Sequence, residues 1–194
     1  MTSRNKQILI FALVALAQLY VPAKMVWNQE SILEEGTEYK FKTAPVDPND
    51  PFRGKYITLT FEENTFTVQD EMDWSRGEKV YVLLGTNKSG FAKIDSISKQ
   101  VPNGQQDFVE AKAWFVSRNG ENKVSLDYPF NRFYMEESKA YDAEATYQKS
   151  QIDTTKTTYA LVSIKNGDAV LKDVLIDDIP IREIVIKEQS KDQR

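Results

Sequence analysis

The sequence predicts a mainly β body behind one N-terminal membrane helix, the β part being an antiparallel barrel or a two-sheet sandwich. Three observations predict it. Residues 8–17 are an unbroken apolar run. Nearly everything after Thr37 alternates apolar and polar with a period of two, the pattern of half-buried strands. Asn-, Gly- and Asp-rich punctuation separates those runs, as hairpin connections require.

The first element is the apolar segment. Arg4 and Lys6 precede it, and it continues past Gln18 to Val21, with Pro22 and Lys24 before Met25, Val26 and Trp27. From Ile8 to Trp27 there are about 20 residues, enough for one membrane-spanning helix, with Tyr20 and Trp27 as interfacial anchors and Lys24 snorkelling. A cleaved signal peptide ending at Ala15-Leu16-Ala17 is the competing reading, and a buried core helix is a third. Positive charge ahead of the segment and Glu30, Glu34 and Glu35 behind it favour a cytoplasmic N-terminus. The expected placement is a single pass through the cytoplasmic (inner) membrane, with the body on the extracytoplasmic or periplasmic side.

In the body, residues 39–41, 56–61, 80–84, 91–97, 108–116, 123–126, 159–164, 169–176 and 181–186 are rich in Val, Ile, Thr, Tyr and Phe and read as strands. Lys88-Ser89-Gly90, Arg118-Asn119-Gly120 and Asn166-Gly167-Asp168 read as their turns. Residues 136–150, Ala- and Glu-rich with acids at the front, form the one helix expected in the body. The expected division is an anchor over 1–30, a β domain over 31–186 and a fraying polar tail over 187–194. A weak internal repeat adds two similar halves, about 37–100 and 118–180. Pro51-Phe52-x-x-x-Tyr56 recurs as Pro129-Phe130-x-x-x-Tyr134, and Tyr81 and Leu83 match Tyr159 and Leu161 at the same offset.

Composition narrows the chemistry. The chain has no Cys and no His, a net charge of −4 and a pI near 5.1. Disulfides, Cys/His zinc sites, thiol nucleophiles and a Ser-His-Asp triad are excluded, and no basic stripe points to nucleic acid. Catalysis would have to use carboxylates, Lys, Tyr or an oxygen-bound metal. Residues 47–51, Asp-Pro-Asn-Asp-Pro, space oxygens as a calcium loop does but read better as an Asx-Pro turn. Ser89 and Lys93 are close in sequence, but a tight-turn hydroxyl is solvated and no desolvated Lys accompanies it.

The densest motif is Pro45-Val46-Asp47-Pro48, followed by Arg53 and then Gly54-Lys55-Tyr56-Ile57-Thr58-Leu59-Thr60-Phe61. This stretch resembles the signature of the GDYXXLXY family, bacterial membrane-anchored proteins with no established activity. Lys55 stands where that motif has Asp, and Phe61 where it has Tyr, so no acid, base or metal role transfers to position 55. The resemblance implies a membrane anchor and no reaction. Its structural residues are Pro45, Asp47, Pro48, Gly54, Tyr56 and Leu59.

Arg53, Lys55 and Tyr56 place two cations and an aromatic at a strand entrance, a candidate edge for carboxylate or phosphate. Arg132, Tyr134 and Glu136, in the aromatic cluster of residues 128–137, are the second candidate group. They form either a wall for a sugar or peptide or a core junction between the sheet and the helix. Glycosidase-like carboxylate pairs can be assembled from Glu136, Glu137, Asp142 and Glu144. The expected function is a non-catalytic, extracytoplasmic binding or accessory protein, without cofactor or metal, whose partner is another membrane or envelope protein. Small-ligand or glycan binding, and a carboxylate hydrolase, are the alternatives.

Overall fold

The computed structural model describes residues 3–45, 56–68, 74–117 and 122–192. It opens on helix α1 (Ser3–Glu35). The apolar run lies on the helix surface, with Leu9, Phe11, Leu16, Leu19 and Trp27 all more than half exposed. A core helix would bury those side chains. This one is long and apolar enough to cross a membrane, with none of its apolar window buried, and Pro22 lies inside it.

Only the last turns of α1 touch the body. Ile32 is buried there. Strand β1 (Thr37–Ala44) follows after the single residue Gly36, whose N–H donates to the Ile32 carbonyl at 3.0 Å. A Cβ on Gly36 would lie 2.4 Å from that same oxygen and 3.0 Å from the Ile164 carbonyl, so only glycine fits unshifted at this junction.

The body is mainly antiparallel β. The remaining strands are β2 (Tyr56–Thr58), β3 (Thr60–Phe61), β4 (Thr65–Thr67), β5 (Lys79–Thr86), β6 (Ala92–Ser98), β7 (Phe108–Ser117), β8 (Lys123–Asp127), β9 (Arg132–Tyr134), β10 (Thr158–Lys165), β11 (Asp168–Ile176) and β12 (Ile179–Pro180). They form two five-stranded sheets, ordered β12-β11-β10-β1-β3 and β4-β8-β7-β5-β6, and a two-stranded ribbon of β2 and β9. Alternation fixes the faces: Tyr39, Phe41 and Thr43 of β1 and Val80, Val82 and Leu84 of β5 all point inward. The inward faces of both sheets contribute to one core cluster, which also holds Ile57, Phe130, Phe133, Ala143 and Val185.

The hairpins β5–β6 and β10–β11 correspond closely. In β5–β6 the register shifts between Leu83 and Leu84, and in β10–β11 between Leu161 and Val162, the positions related by the sequence offset. Each hairpin also reaches back by an isolated parallel bridge, Phe91 to Lys40 of β1 and Gly167 to Val109 of β7. The two sequence halves are interlaced, since β1 pairs with β10 and β4 with β8. Tyr56 and Tyr134, the ends of the two Pro-Phe-x-x-x-Tyr runs, are direct partners across the ribbon.

Two helices complete the body, α2 (Glu137–Ile152) and α3 (Ile181–Asp192). α2 lies where the sequence places it; α3 corrects two expectations. Residues 181–186 are not a strand, and 187–192 continue the helix rather than fray. Ile181 and Val185 are fully buried with Ile184 packed beside them, the i, i+3, i+4 spacing of a helix face. Gln189 then ties the outer turns to α2, donating to Asp142 at 2.6 Å and to the Ser138 carbonyl at 3.2 Å.

Candidate functional site

The sequence-predicted residues divide. Asp47, Pro48, Arg53, Gly54 and Lys55 lie outside the described residues. Pro45 is exposed at the end of β1, and Leu59 is core, its N–H donating to the Asn131 carbonyl at 2.8 Å. Tyr56, Arg132, Tyr134 and Glu136 come together at the β2–β9 ribbon.

Ribbon geometry explains their grouping. Ile57 pairs with Phe133, and both side chains are buried. Their neighbours must therefore face outward, and the outer face presents Tyr56 opposite Tyr134 and Thr58 opposite Arg132. The two tyrosine rings are 5.4 Å apart and tilted at 53°. The Arg132 guanidinium reaches diagonally over the Tyr56 ring at 5.0 Å, a favourable cation–π distance. The Tyr134 hydroxyl beside Arg132, and then the two nearby phenols, bias that guanidinium further toward its charged form.

The remaining aromatics of the 128–137 cluster are core. Tyr128 and Phe130 stack at 5.0 Å, and both meet Phe41 and Phe61 at centroid distances of 4.9 to 5.9 Å. The Tyr128 hydroxyl, buried among them, donates to the Glu63 carbonyl at 2.8 Å. Burial pushes its pKa well up. Among the described aromatics of the two candidate groups, Tyr56 and Tyr134 face outward.

Beside the ribbon, Met135, Glu136, Lys139, Arg182 and Ile186 line a cleft of about 120 Å³. Glu136 pairs with Lys139 at 2.8 Å. The Lys139 hydrogen bond, and then its charge, hold the carboxyl below its ordinary pKa. The Arg182 guanidinium lies over the Phe133 ring at 5.1 Å. Sequence reading does not select Lys139 or Arg182. Lys139 carried a usable signal, three residues after Glu136 at a helix start; Arg182 was hidden in the segment read as a strand. The other acids of that group are engaged separately, Asp142 with Gln189 and Glu144 with Gln148. Ser89 sits exposed in its turn, its N–H donating to Asn87. Among the described residues no three Asp, Glu, His or Cys gather as a metal site.

Fold and site together describe a β protein that carries an N-terminal apolar helix and displays an arginine–tyrosine patch on a two-stranded ribbon. The chain belongs to the GDYXXLXY protein family, whose model matches residues 18–174, from within α1 to within β11. No curated protein and no solved structure matches it.

Proposed function

We propose that this protein is a single-pass, membrane-anchored, non-catalytic binding or accessory protein. In this reading its N-terminus is in the cytoplasm, its body is extracytoplasmic, and its partner is another membrane or envelope protein. The observation that carries the reading is the junction of helix and body. The exposed apolar length of α1 needs an apolar environment, yet its last turns are built into the fold. The Lys165 ammonium donates to Ser31 Oγ and to Glu35, each at 2.6 Å, and Asn28 reaches Asp168. Charge supports the orientation, with Arg4 and Lys6 before the span and Glu30, Glu34 and Glu35 after it.

The intact protein is expected to fractionate with membranes. Protease added outside the cytoplasmic membrane should digest the body and leave a short anchor fragment. A mature soluble species beginning at Gln18 would establish cleavage and overturn the anchor. Enclosed small-ligand binding is the weaker reading, because the patch cleft of about 120 Å³ is well below the roughly 300–1,000 Å³ of ligand pockets. A carboxylate hydrolase is disfavoured because Glu136, Asp142 and Glu144 each hold a different neighbour.

A further inference from the structure

We infer that α1 pairs side by side in the bilayer with α1 of a second copy of this chain, through the amide of Gln18. This inference rests on the anchor reading and says what occupies one face of the span.

Depth is the first observation. In the span from Ile8 to Trp27, Gln18 lies about 15 Å from the first residue and about 14 Å from the last. That is the middle of a hydrocarbon layer about 30 Å thick. Gln18 is the one charged or amide side chain between Ile8 and Val21. Lys24, nearer the end, reaches the interface by snorkelling; a shorter glutamine at the midplane cannot.

The second is unmet hydrogen bonding. Gln18 is exposed on the helix surface, and among the described residues no hydrogen bond engages its amide. Pro22 lies inside the helix and has no N–H, so the Gln18 carbonyl four residues back lacks its helical donor. Side chain and main chain together leave two acceptors and an NH2 group bare at one level. Lipid tails offer them no partner. The body offers none either, since none of the apolar window of α1 is buried against it.

The third is access. Ala15 and Pro22, three residues before and four after Gln18, share its face, and the single methyl of Ala15 lets a second helix come close. The side chains that meet the body, Asn28, Ser31, Ile32 and Glu35, point about 120° round the helix from the centre of this face. The body leaves it open.

Complementarity decides the occupant. Two copies inserted in the same orientation bring Gln18 to the same depth without adjustment. An amide both donates and accepts, so two of them related by a two-fold axis along the bilayer normal satisfy each other reciprocally. The bare Gln18 carbonyls lie at the same level, where the remaining amide N–H groups find acceptors. A different helix would have to carry its own polar group at that depth.

The test uses the full chain in phosphatidylcholine liposomes, with the mass of each variant measured first. The natural chain has no cysteine, so single cysteines report which face is paired. Phe11, seven residues before Gln18, shares its face, and Leu13 lies nearly opposite Phe11. Oxidation should join Phe11→Cys chains into a disulfide-linked dimer severalfold more than Leu13→Cys chains. Energy transfer between dye-labelled chains, followed as lipid is added, should show Gln18→Leu pairing about tenfold more weakly than the parent. Gln18→Asn keeps an amide and should recover most of that affinity. All variants change lipid-facing side chains and should leave unfolding of the body unchanged.

Equal disulfide yields at the two positions would overturn the proposal, as would a Gln18→Leu variant that pairs as tightly as the parent. So would a photocrosslinker in place of Phe11 that, in native membranes, joins α1 to a different chain and not to itself. A protein that stays with membranes but fails these tests keeps its anchor and loses the pairing. A chain cut after Ala17 would overturn both readings, and its mass shows this before any pairing is measured.

Discussion

Tyr39 joins the first strand of the body to the residue just before β7, its hydroxyl donating to Asp107 at 3.1 Å. Burial first, and then the charges of Asp107 and Asp95, push its pKa up to about 12. A phenol that holds its proton more tightly in the folded state contributes stability that is fully present below its ordinary pKa of 10.0 and lost as pH rises through about 12. Tyr39→Phe should therefore lose stability less steeply than the parent between about pH 10 and 12, at a cost near neutrality of about 1 kcal/mol for the missing hydrogen bond. Urea titrations at both pH values measure this, and parallel pH slopes for the two proteins would refute it. Gly36 makes a steric prediction. Gly36→Val has no room between the Ile32 and Ile164 carbonyls and should destabilise the body by about 1–3 kcal/mol, measured as a lower urea midpoint. At this scale the candidate site was half legible. The alternation that puts Tyr56 and Tyr134 outward is printed in the sequence. The pairing that brings Arg132 diagonally onto Tyr56 depends on a ribbon between residues 76 positions apart, and no local pattern encodes it.

Among the elements, α3 shows why part of the fold was hidden. Its segment I-R-E-I-V-I-K is β-branched, and Ile184 and Ile186 alternate across Val185, so propensity and a period of two both suggested a strand. The buried set is Ile181, Val185 and part of Ile184, while Ile186 is half exposed. Packing against α2 and β11 decided the outcome over weak local preference. Ile181→Ala should accordingly cost about 2–5 kcal/mol, measured by denaturant unfolding. A surface-like cost below about 0.5 kcal/mol would contradict this packing. The longer strands were legible because most have one wet face, which leaves clean alternation, whereas the two- and three-residue strands β4, β9 and β12 are too short to show a period and were not read as strands. β10 is buried on both faces through Thr158, Tyr159, Ala160, Val162, Ser163 and Ile164, and was recovered from its β-branched and aromatic content.

The joint between α1 and the β10–β11 hairpin can be tested directly, because the natural chain has no cysteine. In Asn28→Cys/Asp168→Cys the two thiols should be bridged by a short thiol crosslinker in the full-length protein. The control Asn28→Cys/Trp114→Cys should not be bridged. Equal yields from both pairs would mean that helix and hairpin are not held together.

For the whole molecule, the interlaced halves have a thermodynamic consequence. Since β1 pairs with β10, β2 with β9 and β4 with β8, and one core cluster draws on both sheets, each half of the chain loses strand partners and core contacts if the other unfolds. The body should melt in a single transition, with tryptophan fluorescence and far-ultraviolet circular dichroism giving coincident curves. Two separated transitions would show that the halves are independent. The one-residue junction at Gly36 also restricts how the body moves. A domain on a long flexible tether samples a hemisphere about its attachment point. Here a single residue joins α1 to β1, and Lys165 ties the last turn of the helix to β10, so the body and the end of α1 turn as one piece. Inserting a few flexible residues at Gly36 would leave the sheets intact and release that coupling.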